Sequence, residues 1–253
     1  MHLEPWQWVL AIVAAFGIGL SKTGIAGLGV LMVAIFALVF PGRQSVGLVL
    51  PILISADIIA VTAFRRHAVW AHLWRLFPWA ALGIVLGWWA MDRINDLQTA
   101  RLIGAILVAL VVIQGWRQYK SSHPQVGESE ELYIPQHLWF TASMGVMAGF
   151  TTMVANAAGP IMIIYLLSTR LPKMEFIGTG AWYFLTLNLF KVPFSYRLGL
   201  INPSSLSIDF ALAPFAMLGA FYGKSVLQHI PQSLFEKLAL IFTLIAGLKL
   251  LFF

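Results

Sequence analysis

The chain has 253 residues, of which 60% are apolar and 10% charged, with a formal net charge of +6 and no cysteine. A soluble domain carries roughly a quarter of its residues as charges, so this chain has too little polar surface for water and suits a hydrocarbon exterior. Disulfides, thiolate metal sites and cysteine nucleophiles are excluded, and the basic residues fall mainly in short loops, where they set topology rather than bind nucleic acid.

Ten apolar runs follow one another, at roughly 6–21, 25–40, 44–64, 71–91 and 99–117, then 137–150, 155–168, 175–195, 206–224 and 232–253. Met1 to Pro5 carry neither a basic n-region nor a small-residue cleavage site, so the first run is expected to stay as structure. Trp6, Trp8, Trp70, Trp74, Trp88, Trp89, Trp116 and Trp139 sit near run ends, as an interfacial aromatic belt requires.

Small and polar residues break the first long run at Gly17, Gly19, Ser21, Lys22, Thr23, Gly24, Gly27 and Gly29. Ser21 and Thr23 are suited to cap a helix restarting near Gly24, and the glycines free the backbone to leave helical angles. A helix N-terminus inside a membrane offers unpaired N–H groups and positive partial charge, which together seat an anion. Lys22 is costly in an apolar run unless a bound anion or an interface compensates it. The plainer alternative is that the glycines only let helices pack closely, although packing does not call for Ser-Lys-Thr beside them.

Asp57 lies well inside the third run. Arg65, Arg66, His67, His72 and Arg75 then cluster in what reads as a loop facing the cytoplasm. Residues 118–136 are the long polar stretch at the midpoint and read as a linker between an N-terminal membrane repeat, 1–117, and a C-terminal one, 137–253.

The second half repeats the order of the first at an offset close to 130 residues: Gly149 against Gly19, Gly159 against Gly29, Pro172 against Pro41, Gly178 against Gly47, Asn188 against Asp57 and Arg197 against Arg66, with Gly219 set against Gly87 further on. Its break carries Thr151, Thr152 and Asn156 as caps and Pro160 in a first helical turn. Each half opens with a broken run of about 35 residues; unbroken, it would measure about 52 Å against a core of about 30 Å. The run must therefore bend back. Three plain spans follow it, so each half crosses an odd number of times and the halves are inverted. The expected fold is all-α: a polytopic helical bundle of two inverted halves, each opening with a Gly-broken helix pair.

Lys191 lies in the span matching that of Asp57, with Asn188 one turn before it. Opposite charges on repeat-related helices predict that Asp57 and Lys191 pair, either to couple anion and proton movement or as a static buried ion pair. Arg66 and Arg197 end matching helices, as anion attractors at opposite mouths or as topology anchors. The histidines have no ligand spacing, so neither a metal nor a cofactor is expected, and no nucleophile with an oriented base supports an enzyme.

The stretch Gly19 to Gly29, the Pro41 to Gly47 turn, the helix ending Ala63-Phe64-Arg65-Arg66-His67 and the Gly83 to Gly87 span together resemble the sulfite exporter TauE/SafE family, over essentially the whole chain with a weaker second copy from Gly149. The resemblance implies a multi-pass protein of the bacterial inner membrane that exports sulfite or an organosulfonate. Thr151, Thr152 and Asn156 stand where many relatives carry glycine, so the two half-sites are unequal. Substrate contacts are expected at Ser21, Lys22, Thr23, Gly24, Thr151, Thr152 and Asn156, with Asp57, Asn188, Lys191, Arg66 and Arg197 coupling or gating. The expected partners are a small anion and lipid, and a homodimer is one assembly such a bundle allows. Uptake of another small organic anion, or a non-transporting membrane subunit, are the alternative roles.

Overall fold

The computed structural model describes residues 4–23, 28–122, 137–226 and 232–252. Among them each apolar run holds one helix: α1 (Pro5–Thr23), α2 (Leu28–Val39), α3 (Gly42–Phe64), α4 (Trp70–Arg93), α5 (Asp96–Ser122), α6 (Leu138–Ala155), α7 (Gly159–Ser168), α8 (Lys173–Arg197), α9 (Pro203–Val226) and α10 (Gln232–Phe252). A short 3-10 turn, Arg65–His67, follows α3. The all-α expectation holds. His72 and Arg75 belong to the first turns of α4 rather than to a loop, and α5 runs into the first residues of the segment read as linker. The rest of that segment, 123–136, and Gly24 lie outside the described residues.

Prolines and one glycine set several boundaries. Pro41 and Pro172 precede α3 and α8, and Pro160 stands in the first turn of α7, where a missing N–H costs nothing. Gly199 takes a φ of +70° after α8. Its N–H donates to Tyr196 O at 2.9 Å while Leu200 N–H donates to Ser195 O at 3.0 Å. That pair of bonds is a Schellman ending, whose left-handed residue is cheapest as glycine.

Among the described residues, six helical segments are long and apolar enough to cross a membrane: Pro5–Thr23, Gly42–His67, Trp70–Arg93, Asp96–Trp116, Leu138–Ala155 and Pro203–Gly223. The chain is thus a multi-pass membrane protein. α8 has the length, 25 residues, but is less apolar, and α2 and α7 are shorter apolar helices. Outward faces carry Trp74, Trp116, Trp139, Phe210 and Phe221 exposed, as lipid contact requires.

α1 and α2 fold back on each other: Gln7 Nε2 donates to Val39 O at 3.4 Å near the open end, Gly17 meets Met32, and Gly29 meets Ser21 near the break. α1 then lies along α9. Gly19 abuts the backbone of Ala216 and Ala220, Gly219 that of Phe16, and Gly223 meets Thr23. α6 lies along α4 in the same manner, with Gly149 on Ala80, Gly83 on Val146 and Gly87 on Met153. Without a Cβ these backbones approach closely, the usual route to tight helix packing where lipid offers no hydrophobic drive.

The two seams correspond residue for residue, and they move one sequence alignment. Gly87 and Gly223 occupy equivalent places, against Met153 and Thr23, while Gly219 corresponds to Gly83, against Phe16 and Val146. The expected match of Gly219 with Gly87 is therefore one helical turn out of register. Glycines four residues apart on one helix face present the same pattern after a one-turn slip.

α3 and α8 run antiparallel through the middle. Gly47 near the start of α3 packs on Leu200 beyond the end of α8, Asp57 meets Asn188, and Gly178 near the start of α8 packs on Phe64 and His67 at the end of α3.

Candidate functional site

A cavity of about 200 Å³ lies where the two helix breaks face α3 and α8. Ser21, Lys22 and Thr23 border it from the end of α1, Thr152 and Asn156 from the end of α6, and Gly159 and Pro160 from the start of α7. Asp57 of α3 and Asn188 of α8 close the polar end. Most of the remaining wall is apolar, including Val33, Leu53, Ile163, Leu166 and Phe184.

Lys22 reaches this space from the last turn of α1. Its Nζ stands 2.9 Å from Asp57 Oδ1 in an ion pair and 4.3 Å from the centroid of the Phe184 ring. The Lys22 side chain is 11% exposed whereas that of Asp57 is fully buried. On its other oxygen, Oδ2, Asp57 accepts from Asn188 Nδ2 at 2.6 Å. One carboxylate therefore ties the first break to α8.

Lys191 is buried behind the opposite wall. Its Nζ donates to Thr152 O at 3.0 Å, Thr152 Oγ1 at 3.1 Å and Asn156 Oδ1 at 2.6 Å, which uses all three ammonium protons on neutral oxygens. Asn156 in turn donates from Nδ2 to Val46 O of α3 at 3.0 Å, so its amide orientation is fixed from both sides. Its φ of 50° puts it in the left-handed region that Asn tolerates, and its N–H closes α6 by donating to Thr152 O at 3.0 Å.

The expected Asp57–Lys191 pair does not form. Lys22 takes the carboxylate instead, and Lys191 is satisfied by dipoles. Sequence order placed Lys191 opposite Asp57 on the matching helix, but a lysine sits three residues past the matched position, almost one turn further on, and so faces the second break. The capping roles also differ. Ser21 Oγ donates back to Ile18 O at 2.6 Å within α1, and the helix start expected near Gly24 lies outside the described residues. Thr23 Oγ1 is buried without a hydrogen bond. Thr151 turns its hydroxyl to Met147 O at 2.8 Å and does not border the cavity. Arg66 and Arg197 are exposed at opposite ends of the α3–α8 pair, away from it.

Two contributors had no sequence signal. Phe184 is one apolar residue among many, and the Val46 carbonyl is backbone; only the fold brings them to Lys22 and Asn156.

In the comparison with known families, the model of the sulfite exporter TauE/SafE family matches residues 11–250. The chain belongs to the sulfite exporter TauE/SafE family. No curated protein and no solved structure matches it. TauE/SafE proteins are membrane transporters of sulfite or related anions and not enzymes. Among the described residues no group of three His, Cys, Asp or Glu side chains converges as a metal site.

Proposed function

We propose that this TauE/SafE protein exports a small sulfur-containing anion across the bacterial inner membrane, with Lys22 as the residue that receives the anion. The observation that carries this reading is the exposure of Lys22, alone of the two buried lysines, into a cavity bordered by both breaks, with Asp57 as its counterion. An arriving anion competes with Asp57 for the ammonium, assisted by Thr152, Asn156 and Asn188 at the polar end. Freed from Lys22, Asp57 is left as a buried carboxylate and favours taking a proton, which links anion and proton movement.

The apolar wall favours an organosulfonate over bare sulfite, since a small organic body gains by leaving water and an inorganic monoanionic or dianionic oxide does not. Alternating access is served by halves 1–117 and 137–253 joined by 118–136 and inverted relative to each other. Support comes from the antiparallel α3–α8 pair and from the two glycine seams that exchange roles between halves.

Proteoliposome flux of labelled sulfite and of a small sulfonate, under an imposed pH gradient, tests the reading. It predicts flux from the parent chain, a preference for the sulfonate, and loss of flux in Lys22→Ala with reconstitution unchanged. If Lys22→Ala transports as well as the parent, Lys22 is structural and the proposal fails. Counterflow in both orientations separates export from uptake.

A further inference from the structure

Asp209 was not singled out by the sequence pattern, yet it is among the most isolated polar groups in the described structure. Its residue is 2% exposed, and neither Oδ1 nor Oδ2 has a hydrogen-bond partner. It lies on the seventh residue of α9, inside the span Pro203–Gly223.

Its position on that helix is what gives it meaning. Asp209, Leu212, Ala216, Gly219 and Gly223 recur at three- and four-residue spacings, so they form one stripe. The lower members of that stripe lie against α1: Ala216 on Gly19, Gly219 on Phe16, Gly223 on Thr23. Both helices run in the same direction along this seam, since Gly219 and Gly223 meet successively later residues of α1. Asp209 therefore stands at the level of the opening turns of α1, about 21 Å from the Gly223 level where α1 delivers Lys22.

The charged side chains of the helices packed on α9 have other partners. α1 and α3, the helices packed most closely on α9, carry Lys22, Arg43 and Asp57 as their charged residues. Lys22 and Asp57 face each other, and Arg43 donates from Nη1 to Ile94 O at 3.2 Å. A divalent metal would need several ligands around it, and among the described residues no three His, Cys, Asp or Glu side chains converge to supply them. A proton needs none.

From this juxtaposition, a buried carboxylate without partners on the stripe of α9 that faces α1, we infer that Asp209 is a proton-binding site whose occupancy controls the α1–α9 seam. With a proton bound, the side chain is neutral and the seam closes over it. When the proton leaves, the carboxylate draws in water and the seam opens at this end. α1 is one helix from that end to Lys22, so the shift reaches the cavity. Proton binding stands independently of transport; its coupling to flux rests on the reading above.

Infrared difference spectra of the reconstituted parent chain, taken between acid and alkaline pH, test proton binding directly. A carboxylic-acid C=O band is expected that disappears in Asp209→Asn, persists in Asp57→Asn and changes frequency in Asp209→Glu. If the parent shows no such band, or Asp209→Asn retains it, the inference is overturned. Coupling is read as the acceleration of sulfonate flux by a pH gradient, which Asp209→Asn is expected to lose; an undiminished acceleration overturns the coupling. A parent chain that moves neither anion refutes the transport reading and the coupling with it, while the infrared band still decides proton binding.

Discussion

The residues flanking the two helix breaks place opposite chemistry around one cavity. At the first, the break supplies the cation, Lys22, and the long helix α3 supplies the acceptor, Asp57. At the second, the long helix α8 supplies the cation, Lys191, and the break supplies the acceptors, Thr152 and Asn156. Lys22 keeps a path to the cavity, whereas Lys191 at 1% exposure has none. An ammonium whose protons are all committed to fixed dipoles has nothing left to offer a ligand. On the proposed reading, then, the Lys22 ammonium works on the anion and the Lys191 ammonium holds the frame.

The sharpest way to break that contrast is at Lys22. Replacing it with alanine is expected to reduce flux to background and to destabilise the fold by about 3–5 kcal/mol, because Asp57 is left buried and unpaired. Thermal melts should show Asp57→Asn restoring most of that stability in the double variant, while flux stays absent. Restored flux would show that Asp57, not the anion, is the reason for Lys22.

Asn156 tests the frame at the second break. Asn156→Gly keeps the left-handed backbone and removes the amide, so an acceptor for Lys191 is lost at about 1–3 kcal/mol. Asn156→Ala adds the strain of a side chain in that conformation, about 1–2 kcal/mol more. Equal melting temperatures for the two variants would rule out strain at this position.

A smaller effect is expected from Lys191→Met. It removes the ammonium and its desolvation cost but leaves Thr152 Oγ1 and Asn156 Oδ1 without that donor, so the melting temperature should fall by no more than in Asn156→Gly, and flux should fall by less than about tenfold, about 1.4 kcal/mol in the barrier. Loss of flux as complete as in Lys22→Ala would erase the distinction between the breaks. The least effect belongs to Arg66→Gln and Arg197→Gln, exposed at the two ends of α3 and α8. Each should slow flux severalfold at low ionic strength and not at high, because exposed charges act through a field that salt screens.

The bundle was legible because its information is compositional: ten apolar runs bounded by prolines, glycines and charges correspond to the ten helices among the described residues, and α6 ends, capped by Asn156, where Thr and Asn interrupt the second half's first run. Partner choice was not legible. Whether Asp57 meets Lys22 or Lys191 depends on less than one turn of helix phase between α3 and α8, and pattern matching does not fix phase. The same limit explains the one-turn slip at Gly219. Asp209 did carry a signal, a carboxylate within an apolar run.

The order in which the chain is made bears on α8. Six other segments are apolar enough to enter a bilayer on their own composition, but α8 brings Asn188 and Lys191 into it. Every side chain that receives them, Asp57, Thr152 and Asn156, precedes them in the sequence. By the time α8 leaves the ribosome its acceptors have already been synthesised, so a long helix that is not apolar enough to count as a span by itself is inserted beside helices prepared to take its polar face. A chain cut just after Arg197 would still contain that full set of acceptors, whereas one with α3 deleted would leave α8 stranded at the membrane surface.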